Sequence, residues 1–166
     1  MFRRIEDFLA GWEYESEATL KVFRALTDGS LQREVHPDLR TLGRLAWHIT
    51  QTIPEMGGRA GLKLEGPGVT DPIPSSAAEI GARYEEAADS LAREIRFNWT
   101  DNDLEVEDDM YGERWSRGKT LASLVGHQAH HRAQMTVLMR LADLKVPGVY
   151  GPSKEEWTAF GMPAQE

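Results

Sequence analysis

Apolar positions recur at helical spacing through most of the chain. Ile5, Phe8, Leu9, Trp12, Thr19, Val22, Phe23 and Leu26 predict a long first helix, with Asp28-Gly29 as its stop. Leu42, Leu45, Ala46, Ile49 and Ile53 form the stripe of a second helix from about Thr41 to Met56, which Pro54 and Gly57-Gly58 should end. Glycines and prolines crowd residues 57–74, which suits a crossover running along the length of a bundle. Ser76 and Glu79 then have the spacing of a reciprocal cap ahead of Ile80, Tyr84, Ala87, Leu91 and Ile95, a third helix reaching about Phe97. A fourth helix starts with Thr120 as N-cap and carries Leu121, Leu124, Val125, Met135, Leu138, Met139 and Ala142 to about Leu144, before Pro147 and Gly148.

Two stretches fall outside this pattern. Between the third and fourth helices, Leu104 and Val106 alternate with acidic residues before a Tyr111-Gly112 turn, which fits either a small hairpin or an irregular acidic loop. Near the end, "SKEEWTAF" reads as a short C-terminal helix capped by Ser153 with Glu156 reaching back. Amphipathic helices without a convincing sheet give an all-α fold, an antiparallel four-helix bundle with long crossover connections, filling residues 1–166 as one domain.

Composition narrows the function. The chain of 166 residues is 40% hydrophobic and 28% charged, and no apolar run approaches the ~18 residues that span a bilayer, so no membrane role is expected. Glu6, Asp7 and Glu13 interrupt the N-terminal apolar stretch, so it does not read as a signal peptide and a cytoplasmic location is expected. With 27 acidic against 19 basic residues the formal charge is −8 and no basic cluster overrides it, which argues against nucleic acid as a partner. There is no cysteine, so a metal would have to be held by imidazole, carboxylate or water. The acidic string from Asp101 to Asp109 lacks the glycine and terminal glutamate of a calcium loop and reads as solvated.

The histidines carry the candidate chemistry. His127 and His131 are four apart on one helix, hence neighbours on one face. With each residue turning about 100°, Leu124, His127, Gln128, Met135, Leu138 and Ala142 all fall within roughly 60° of His131, so both imidazoles face the core. Each could be a core histidine satisfied by one hydrogen bond. Two polar rings side by side are costly to bury unless something binds both, and a metal does. His130 lies about 100° off this stripe, beside Val137 and Leu141, and reads as a flank residue. His36, before a proline, reads as a loop residue. His48 lies at the edge of the second helix's stripe in line with Thr41, Thr52 and Glu55; a solvated flank and a wet pocket wall fit equally, and in the latter Thr52 or Glu55 could orient a ring. The five tryptophans read as packing, with one or two at a pocket mouth.

"HQAHHRAQ", His127 to Gln134, resembles the H-x3-H-R-[GA]-Q signature of the DinB/YfiT-like superfamily, and "TLGRLAWHIT" resembles its second-helix segment ending in a first metal ligand. The likeness covers nearly the whole chain. It implies a four-helix bundle holding a divalent metal, zinc or nickel, through His48, His127 and His131; three imidazole ligands would leave part of the coordination shell open. It also implies a homodimer and a small-molecule substrate, since relatives with assigned chemistry add a low-molecular-weight thiol such as bacillithiol or mycothiol to an electrophile. Arg132 would then either fork a substrate carboxylate or form a salt bridge inside the bundle, and Gln134 would support a ligand or pack between helices.

Overall fold

The computed structural model describes residues 1–164. Its helices are α1 (Ile5–Arg24), a single turn α2 (Asp28–Leu31), α3 (Leu42–Arg59), α4 (Ala77–Asn98) and α5 (Arg117–Leu141). The strands β1 (Glu107–Met110) and β2 (Glu113–Ser116) pair antiparallel, and short 3-10 segments occupy Asp101–Glu105 and Trp157–Phe160. The four long helices form an all-α bundle in which α1 and α3 each pack on both α4 and α5. Among these four, neighbours in sequence therefore sit diagonally, except α3 and α4.

Direction along the bundle follows from the cross-links and corrects the expectation of an antiparallel arrangement. Trp12 Nε1 donates to the Ala88 carbonyl while the Ile5 N–H meets Asp101, so α1 and α4 run opposite ways. After α3 the chain turns back along it, with Gln51 Nε2 donating to the Gly68 carbonyl (2.7 Å) and Trp47 Nε1 to that of Asp71 (3.0 Å). The 60–76 stretch spends its length on that return, so α4 starts at the same end as α3 and runs parallel to it. Likewise the Phe2 N–H bonds the Gly118 carbonyl and Arg132 reaches Glu15, so α1 and α5 run parallel. A β-carbon at Gly118 would collide with the Phe2 carbonyl, so only glycine permits that approach.

Several boundaries move from their expected places for local reasons. α3 continues through Pro54 and the Gly57-Gly58 pair to Arg59, since its terminator is Gly61. Gly61 has φ +85°, and the Leu62 and Gly61 N–H groups close onto the Gly57 and Gly58 carbonyls, the 6→1 and 5→2 bonds of a Schellman end. α5 begins three residues before Thr120 because Ser116 is the N-cap, accepting from the Lys119 N–H. It also ends before Leu144, with Asp143 at φ +58° in the left-handed position where glycine is usual. Asp28-Gly29 does not merely stop α1 but opens α2, which Thr27 and Ser30 cap reciprocally.

The acidic segment does form a hairpin. Tyr111 and Gly112, both with positive φ, make its two-residue turn. Its carboxylates are employed rather than merely solvated: Asp101 accepts from the Ile5 N–H at the start of α1, Asp103 from Thr100, and Asp108 pairs with Arg117 at 3.0 Å. The expected C-terminal helix is a 3-10 turn, where Glu156 accepts from the Ser153 N–H but the Ser153 hydroxyl makes no cap. Trp12, Trp47 and Trp99 are buried as packing residues.

The core runs the length of the bundle around Phe8, Trp12, Phe23, Ile49, Ile53, Tyr84 and Leu91. Each large apolar side chain buried there contributes about 1.5–3 kcal/mol of transfer free energy. α5 departs from ordinary amphipathicity: it buries Thr120, Gln128, His131 and Arg132 while leaving Val137 and Leu141 more than half exposed. Of these positions, His131 and Val137 line the candidate site. Among the described residues, no helix is long and apolar enough to cross a membrane.

Candidate metal centre

Antiparallel packing of α3 on α5 brings the second-helix histidine to the pair. His48, His127 and His131 each offer one ring nitrogen, all within 4.8 Å of one another, and His131 is buried while the other two are half-buried. The ring centroids are 4.4–4.8 Å apart with steep interplanar angles, so the rings meet at a common point rather than stack. His48, which the sequence left between a solvated flank and a pocket wall, turns its ring to the other two histidines.

The far nitrogens fix the tautomers. His131 Nδ1 lies 2.8 Å from Gln134 Oε1, an acceptor, so it carries the proton and Nε2 keeps its lone pair. Thr52 donates its hydroxyl proton to the Ile49 carbonyl, so its oxygen can only accept from His127 Nδ1, 3.5 Å away. That leaves His127 Nε2 facing His48 Nε2 at 3.0 Å. Two bare lone pairs at that distance repel, so a proton or a cation must lie between them. Nitrogens sharing a tetrahedral ion at about 2.0–2.1 Å are about 3.3 Å apart, near the 3.0 Å of this pair and inside the 4.8 Å that bounds all three. A set of neutral imidazoles, two of them oriented from behind by Gln134 and Thr52, fits a borderline divalent cation.

Burial drives the protonation state in the same direction. His48 and His127 are lowered from 6.5 to about 4, first by desolvation and then by neighbouring histidines and Arg40. His131 is lowered too, again chiefly by burial, although its bond to Gln134 opposes this. All three are therefore neutral near pH 7, the form a metal requires.

The other candidates sort cleanly. His130 is exposed on the flank, edge-on to His131, and His36 sits in the loop before α3, accepting from the Asp38 N–H. Glu55 pairs with Arg59 and not with a ring, leaving Thr52 as the supporting residue on α3. Arg132 forms the internal salt bridge: it is almost fully buried, 2.6 Å from Glu15, and also bonds Thr19 and Tyr150. It is thus unavailable to a substrate carboxylate. An open pocket of about 540 Å³ adjoins His131, walled by Leu39, Leu45, Val137 and Leu138, with Arg40 and Gln134 at its edge. No tryptophan lines it, contrary to expectation. Arg40 was missed in the sequence, because it lies in the loop just before the N-cap Thr41 of α3, where no helical register marks it.

A three-histidine centre in the middle of a helical bundle defines the class of protein. The chain belongs to the DinB family, whose profile matches residues 1–166. It is 42% identical over 164 residues to the uncharacterized protein YrdA of Bacillus subtilis, covering 99% of this chain and 98% of that protein. The crystal structure of a DinB-like protein from Bacillus cereus superposes with a TM-score of 0.86 at 45% identity, over 90% of this chain and all of that one.

Proposed function

We propose that His48, His127 and His131 bind a divalent metal, zinc or nickel, and that the protein uses it to transfer a low-molecular-weight thiol, or water, to a small electrophile. The observation that carries this is the orientation of the rings: Gln134 and Thr52 occupy the outer nitrogens and leave the inner ones converging. A protein metal site with three imidazole ligands has room for a further ligand, and a divalent cation there lowers the pKa of a thiol or water toward neutrality. The protein's own residues hold the cation, fix its position through Gln134 and Thr52, and admit the organic substrate through the pocket beside His131. In the transfer, the thiol proton goes to solvent, sulfur bonds the electrophilic carbon, and the bond to the leaving group breaks. The sulfur arrives with the cosubstrate, consistent with a chain that has no cysteine. The homodimer implied by the family resemblance belongs to this proposal and is read by light scattering of the purified protein.

The test is metal analysis of the purified protein followed by turnover of bacillithiol with 1-chloro-2,4-dinitrobenzene. One metal per chain and adduct formation that collapses in His131→Ala support the proposal. Stoichiometric metal with a rate unchanged in His131→Ala contradicts it; a chelator that lowers the melting temperature of a protein without turnover would make the metal structural.

A further inference from the structure

The pocket beside His131 has two unlike parts. Leu39, Leu45, Val137 and Leu138 give it an apolar lining, and two of these are unusually exposed for their size, Leu39 at 51% and Val137 at 61%. Arg40 stands at the same pocket and enters no ion pair among the described residues, in a chain where eleven other arginine and lysine side chains do. Asp38 also lines the pocket, but its carboxylate lies 3.8 Å from His36 and is almost fully exposed. Arg40 shares that lining with His131.

An unpaired guanidinium above an apolar wall, on a molecule of net charge −8, is a local inversion of the surface. Its planar fork matches a carboxylate, and the wall matches a hydrocarbon body. A cavity of about 540 Å³ is of the size that holds small organic ligands. We infer that this pocket is the substrate subsite of the centre and that it takes a small organic acid, with the carboxylate on Arg40 and an alkyl or aryl body along Leu39, Leu45, Val137 and Leu138. This rests on the proposed function only for the statement that the reacting end faces His131.

The experiment titrates 4-phenylbutyrate and its primary amide into the folded protein by calorimetry, before and after chelation of metal. The carboxylate should bind more tightly than the amide, and Arg40→Gln should weaken it by about fivefold, as for a partly exposed ion pair, while leaving the amide unaffected. Val137→Asp, at an exposed position that does not endanger folding, should weaken the carboxylate more than the amide. Persistence of the Arg40 dependence after chelation supports the subsite even if no metal-dependent turnover is ever found. No binding of the carboxylate, or equal binding by wild type and Arg40→Gln, overturns it. Binding abolished by chelation but indifferent to Arg40→Gln also overturns it, since the carboxylate would then be a mere metal ligand, and the metal centre would stand.

Discussion

α5 carries two sets of buried or half-buried polar side chains one residue apart, and they are treated in opposite ways. Gln128 and Arg132 are closed circuits. Gln128 accepts from the Tyr84 hydroxyl at 3.0 Å and donates to the Ile49 carbonyl at 3.1 Å, tying α4 and α3 to α5, and Arg132 spends its guanidinium on Glu15, Thr19 and Tyr150. His127 and His131 are held from behind by Thr52 and Gln134, and the inner nitrogen of His127 meets only another ring nitrogen, that of His48 at 3.0 Å. The first pair locks the bundle. The second leaves coordinating capacity unspent in a low-dielectric place, which a stability role alone does not require. Buried polarity is therefore informative by how completely it is partnered.

That contrast can be broken experimentally, and the largest effect should come from the closed set. Arg132→Ala strands the Glu15 carboxylate and should cost about 3–5 kcal/mol in urea denaturation, with metal stoichiometry of the folded fraction unchanged. Loss of metal in that variant would show that the two sets are not separable. Gln128→Leu should cost about 1–3 kcal/mol by leaving the Tyr84 hydroxyl and Ile49 carbonyl unpaired. In the open set the readout shifts from stability to affinity: Gln134→Leu frees the His131 ring and should weaken metal binding about 10–100-fold in a chelator competition, with little change in metal-free stability. An unaltered affinity would mean that the amide does not orient the ring.

The smallest effect is a pH dependence. Burial lowers His48 and His127 from 6.5 to about 4, so between these values the unfolded chain binds more protons than the folded one. Their contribution to metal-free stability is fully present above about pH 6.5 and is lost as pH falls toward 4. The slope of melting temperature against pH over that window should be shallower in His48→Gln than in wild type, and equal slopes would show that the ring does not titrate low.

Most of the frame was legible in the apolar periodicity, because helices that bury a stripe must write it every three to four residues. Phase alone put His127, Gln128 and His131 on the core side and His130 with Val137 outside it. Boundaries were less legible where the deciding residue lay beyond the obvious breaker: Gly61 rather than Gly57-Gly58 ends α3, and Asp143 holds a left-handed end that glycine usually signals. The parallel course of α3 and α4 depends on Gln51 and Trp47 clasping a returning loop, a contact with no local signature. The site was half legible for the same reason. Two of the histidines share a helix and announce themselves by spacing, whereas His48 and Arg40 join them only through tertiary packing.

The central claim is that the histidine of α3 completes a site begun on α5. It is tested most directly by zinc titration in competition with a chromophoric chelator, comparing wild type with His48→Ala at pH 7. One tight site per chain that is lost or weakened at least about 100-fold in the variant is the expected result; the same stoichiometry and affinity in both would contradict it.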